Sequence, residues 1–104
     1  MSLIHIVAVI TAHPGKRGEL LSAFNQNVPL VHQEEGCIEY GAVIDTPDVG
    51  SFQTKLGNDT FFVIEKWESL DHLMAHAASD HMKSYAAKTK NLIVSRKIHV
   101  LSSV

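Results

Sequence analysis

The pattern of apolar residues predicts an α+β fold: a four-stranded antiparallel sheet with helices packed on one side. Two observations lead there. The periodic segments come in the order β-α-β-β-α-β, with the second helical region broken in two. The first strand is apolar on both faces, so each face needs a cover. The chain has 104 residues, the size of one domain. A domain that small can supply one helical layer, and not two.

Each element has its own signal. Residues 3–11, LIHIVAVIT, alternate as a strand, with Ile4, Ile6, Ala8 and Ile10 on one face. Leu3, Val7 and Val9 share the other face with His5 and Thr11, and Pro14-Gly15 ends the run. Residues 17–34 are helical, with Leu21, Phe24, Val28 and Val31 on one face. Pro29 lacks an amide proton and clashes with the carbonyl of Asn25, which predicts a kink. Glu35-Gly36 closes the helix, Gly36 being free to take positive φ. Residues 37–45, CIEYGAVID, form the second strand. Thr46 to Gly50 is turn chemistry, Ser51 to Lys55 a short extended piece, and Leu56 to Asp59 a second turn. Residues 60–68, TFFVIEKWE, form the third strand. Ser69 caps the next helix, Asp71 favours its dipole, and it runs to about Ala77. Ser79-Asp80 starts another helix from about 80 to 91, with Met82, Tyr85, Ala86 and Thr89 on one face. Residues 93–101, IVSRKIHVL, form the last strand.

This order suits the ferredoxin-like arrangement, whose helices cover one sheet face. The bare face then predicts a homodimer of two sheets packed face to face. The net charge of -2 and a pI near 6.4 offer no basic patch for nucleic acid. No apolar run approaches the 18 or so residues of a membrane span. The strand pattern at Leu3 has no charged segment before it, so no signal peptide is expected. The lone Cys37 has no internal disulfide partner, which fits a reducing cytoplasm.

Chemistry concentrates between Phe61 and His81. Glu65 shares a strand face with Phe61, Val63 and Trp67, so its carboxylate must find a partner or stay neutral. It reads as a perturbed general base, or as the ion-pair partner of an Arg or Lys on the neighbouring strand, such as Arg96. Trp67 could stack on an aromatic ligand or anchor the core. His76 and His81 flank the break between two helices, as proton carriers or as polar contacts that hold the break. Tyr40 and Tyr85 could donate to a ligand oxygen or to a buried carbonyl. His72 and His76, four apart, could share a metal, but no further ligands complete a set, and no metal site is expected. Cys37 follows a helix end and reads as a small apolar residue. Phosphate loops, nucleophile elbows and dinucleotide fingerprints do not occur.

Glu35-Gly36-Cys37 with Tyr40, then Phe62, Glu65, Trp67, Ser69, Leu73, His76, Ser79 and His81, resembles the antibiotic biosynthesis monooxygenase family. The resemblance runs from the Pro14-Gly15 turn to the last strand. VPLVHQEEGCIEY, the SFQ at Ser51 to Gln53, and EKWESLDHLMAH followed by HMKSY are most similar to its quinol monooxygenase subgroup. The resemblance implies a dimeric α/β barrel of two ferredoxin-like units. It implies oxygenation of an electron-rich hydroxyaromatic by O2 without metal, flavin or other cofactor. The expected pocket lies between sheet and helices, after the third strand. There His76 would accept a proton, Tyr40 would orient the substrate, and Glu65 would tune or hold the imidazole. Trp67 would form a wall, and Phe62, His81 and Tyr85 would complete the substrate-binding set. The family's haem-degrading branch uses an Asn in the first strand and a His in the last long helix. Here the strand carries Val and Ala, and that helix has no His after His81. The alternatives are a small-molecule isomerase of the same fold, as in a branch acting on a phosphorylated sugar, which would want phosphate-binding cations where this region offers only Lys83, Lys88 and Lys90, and a non-catalytic dimeric metabolite-binding module.

Overall fold

Strict alternation in the first strand decides where the core lies. Ile6, Ala8, Ile10 and Ala12 are buried, while Val7, Val9 and Thr11 between them are half-buried. The computed structural model describes residues 3–104. Its elements are β1 (Ile4–Ala12), α1 (Arg17–His32), β2 (Cys37–Val43), β3 (Thr60–Trp67), α2 (Leu70–Ala77), α3 (Asp80–Thr89) and β4 (Ile93–Ser102). A 3₁₀ turn, Lys90–Leu92, joins α3 to β4. The sheet order is β2-β3-β1-β4, and every pairing is antiparallel. This is the ferredoxin-like arrangement, with all helices on the inner face.

The inner face of β3 carries Phe61, Val63, Glu65 and Trp67, as alternation predicts. On α1 the buried residues are Leu20, Phe24 and Val31, with Leu21 and Val28 only partly buried. The predicted face is therefore turned slightly. At about 100° per residue, Leu20 and Val31 fall on one flank of Phe24 and Leu21 and Val28 on the other. The sheet lies toward the first flank. Pro29 stays inside α1, which continues past it to His32.

Three local devices shape the connections. Gly36 takes φ +83°, and a side chain there would collide with the imidazole of His72. Ser69 accepts the His72 amide at 3.2 Å and caps α2. Ser79 accepts the Met82 amide at 3.4 Å and caps α3, and its hydroxyl donates to the His76 carbonyl at 2.8 Å. The break between α2 and α3 is thus held by a serine.

Two expectations need correction. Residues 51–55 form no strand, and β2 ends at Val43. The Asp45 carboxylate accepts the amides of Leu56 at 2.8 Å and Gly57 at 3.0 Å, closing the segment into a loop. These two bonds hold Asp45 below the usual carboxylate range. Glu65 also does not pair with Arg96, because β1 lies between β3 and β4.

The outer sheet face has an apolar centre of Val7, Val9, Phe62 and Ile64, with Val43 and Leu101 more exposed. His5, Lys66, Lys97 and His99 share that face by register. No described helix is long and apolar enough to cross a membrane.

Candidate active site

A cavity of about 370 Å³ lies between the inner sheet face and the helices. Its wall is mainly apolar, with Ile6, Ala8, Phe61 and Val63 from the sheet and Leu73 and Met82 from the helices. Four of the residues singled out in the sequence meet there: Tyr40, Glu65, His76 and Tyr85.

His76 occupies the last turn of α2 and is almost fully buried. Its Nδ1 lies 2.8 Å from Oε2 of Glu34, just beyond α1. An ionised carboxylate only accepts, so Nδ1 carries the proton and donates it. Nε2, with no described hydrogen bond, is then the nitrogen free to accept. The Trp67 ring lies behind His76 at 4.7 Å, and the Tyr40 ring meets it edge-on at 5.4 Å. These contacts leave the imidazole little room to rotate.

Tyr40 stacks on Phe24 at 5.1 Å. Burial, reinforced by the Glu65 charge, pushes its phenol well above the usual tyrosine range. It stays protonated and can donate. Burial likewise pushes the Tyr85 phenol up to about 12. Glu65 accepts the indole N–H of Trp67 at 2.9 Å. Burial raises its pKa, while the Trp67 bond and the nearby His76 pull the other way.

Three expected substrate contacts do not reach this cavity. Trp67 is fully buried and touches His76 and Glu65 from behind, so it acts as the core anchor of the alternative reading. Phe62 sits one residue off the inner parity and faces the outer side. His81 lines a second hollow of about 260 Å³ with Asn27 and Lys88. Its Nδ1 is 3.4 Å from Asn27 Nδ2. Its Nε2 lies 3.0 Å from Glu34 Oε2 without forming a hydrogen bond. The residue that holds the His76 imidazole is therefore Glu34, and not Glu65.

His72 and His76 point to different partners. His72 Nδ1 is 2.7 Å from Ser69 Oγ, and its Nε2 is 4.0 Å from Glu35. Among the described residues, no group of three or more His, Cys, Asp or Glu side chains is placed to hold a metal ion. Burial, then the nearby carboxylates of Glu34 and Glu65, raises the Cys37 thiol pKa, against a role as nucleophile.

The fold and this site can be set beside known proteins. The model of the antibiotic biosynthesis monooxygenase family matches residues 3–88. The chain belongs to that family. Among its relatives is the Escherichia coli K12 protein YgiN, named a probable quinol monooxygenase. It is 36% identical over 101 residues, covering 95% of this chain and 96% of that one. The Shigella flexneri protein of the same name matches equally well. A conserved protein of Methanosarcina mazei superposes with a TM-score of 0.84 at 22% identity, over 100% of this chain and 95% of that one. A Pseudomonas aeruginosa protein does so with a TM-score of 0.82 at 24% identity, over 100% and 96%. At such identity these two structures speak for the shared fold.

For this member of the monooxygenase family, Glu34 is the site residue that reading along the chain missed. A signal was available. Glu34 and Glu35 follow directly on the negative end of α1, an unfavourable place for a carboxylate without a cationic or N–H partner.

Proposed function

We propose that this chain is a cofactor-free monooxygenase that oxidises a quinol or related hydroxyaromatic with O2. The observation that carries the reading is a buried imidazole, braced by a carboxylate at Nδ1, beside an apolar cavity of ligand size. Family membership and the name of the 36% identical relative support it.

The chemistry asks little of the protein. A deprotonated quinol is a good one-electron donor to oxygen. His76 Nε2 takes the hydroxyl proton, and the Glu34 charge stabilises the imidazolium that results. The neutral Tyr40 phenol donates to the phenolate oxygen and orients the ring. Electron transfer gives an aryloxyl radical beside superoxide, and the apolar wall keeps water from the pair. Recombination and loss of water complete the turnover: one quinol and one O2 give one hydroxyquinone and one water.

The working unit in this reading is a homodimer. The centre of the outer face, Val7, Val9, Phe62 and Ile64, is the surface that a second copy would cover. Sedimentation at micromolar concentration tests this, and a stable monomer would refute it.

An oxygen electrode tests the activity. Metal-free protein should accelerate oxygen uptake with a reduced naphthoquinol well above the autoxidation blank. An unchanged rate would refute the assignment, and tight binding without uptake would leave a metabolite-binding module.

A further inference from the structure

The cavity is polarised. Glu65 and Arg96 line it from opposite sides of β1, and Lys83 of α3 and the Tyr85 phenol are also in its wall. Among the described residues neither Lys83 nor Arg96 forms an ion pair. Glu65, the one carboxylate lining the cavity, is bonded to Trp67.

Arg96 is the anomaly. By register it faces Ile10, and so stands on the inner face of β4 in line with Ile98 and Val100. The outer position next to it carries Lys97, where a solvated cation belongs. An arginine among apolar inner positions has its head at the cavity mouth, close enough for its charge to be felt by the Tyr85 phenol. Lys88, also on α3, is different: its amine bonds Gln26 and it does not line this cavity.

The spacing sets the length of a ligand. Glu65 faces Ile6 and Arg96 faces Ile10, on opposite sides of β1. Four residues along a strand and two strand spacings across it put the two backbones about 16 Å apart. Both side chains point inward and close part of that gap. A body of one or two rings fits between their heads.

We propose that the substrate is a hydroxyaromatic with a carboxylate at the end opposite its reacting hydroxyl, held at the cavity mouth by Arg96 and Lys83. The proposal rests on the reading that the His76 end receives the hydroxyl. A guanidinium takes a carboxylate in bidentate fashion, and the ammonium adds a point charge. Because both cations are exposed, the carboxylate keeps part of its hydration and avoids the full desolvation penalty. The preference is therefore modest.

Calorimetric titration of the intact chain with probes that need no turnover tests this. At low salt, 6-hydroxy-2-naphthoate should bind about tenfold tighter than 2-naphthol, the sum of two exposed charge pairs. The isomer 3-hydroxy-2-naphthoate, whose two groups are adjacent, should gain much less. Arg96→Gln should remove most of the preference and Lys83→Gln part of it, with 2-naphthol affinity unchanged. Equal affinities for the two naphthalenes, no measurable binding of either, or a preference that survives the double substitution would overturn the proposal. A preference without any oxygen uptake would instead sink the oxygenase reading and leave this one standing.

Discussion

His76 Nδ1 and Glu34 Oε2 lie 2.8 Å apart although the two residues are 42 positions apart in the chain. The contact joins the last turn of α2 to the segment just beyond α1. It sets the tautomer of the imidazole and so decides which nitrogen can serve the cavity.

Replacing His76 tests its proposed role as the base directly. His76→Ala should lower kcat for a naphthoquinol roughly 10²–10⁴-fold, the usual contribution of a positioned acid or base. Steady-state oxygen uptake, with the blank subtracted, reads the loss. A variant within twofold of the parent would rule His76 out.

Glu34→Gln removes the charge but keeps an oxygen near Nδ1. The expected fall in kcat is about 10²-fold, the scale of a misplaced catalytic group. His81→Ala should cost less, since His81 touches the same carboxylate but does not line the main cavity. Comparing kcat for the two variants separates orientation of His76 from general loss of the cluster.

Tyr40→Phe keeps the stack on Phe24 and deletes only the hydroxyl, which has no described protein partner. Thermal stability should hardly change. The loss of one donor to the phenolate should lower kcat about 10²-fold. A large drop in Tm would show a structural hydroxyl in its place.

Glu65 predicts how stability depends on pH. Its folded pKa is raised above 4.5 by burial. As pH rises past 4.5 the unfolded chain releases this proton first, so the folded state holds more protons and stability falls through the window up to the raised value. Glu65→Gln keeps an acceptor for the Trp67 indole and should flatten that slope. Urea titrations across the acid range measure it, and parallel slopes for variant and parent would contradict the assignment.

Gly36→Ala puts a methyl group into the His72 ring at positive φ. The backbone strain alone is worth about 1–3 kcal/mol. For a domain of this size each kcal/mol lowers Tm by about 4–8 °C. A calorimetric scan checks this, and an unchanged Tm would show that the turn rearranges freely.

Strand and helix positions were legible because they follow local periodicity. Alternation in Ile4–Ala12 and Thr60–Trp67 placed the core face and put Glu65 on it. Ser69, Ser79 and Gly36 announced their roles through capping and turn chemistry. The same residues pointed to the monooxygenase family.

Which side chains meet across the sheet and helices was not legible. Arg96 seemed within reach of Glu65 until the strand order placed β1 between them. Trp67 could have been a ligand wall or a core anchor, and packing set it behind His76. The apolar pattern along the chain determined the elements, their faces and the fold. Only the tertiary structure decided that Glu34 holds the imidazole, because that pairing depends on how two helix ends converge in space, and no local period records such a distance.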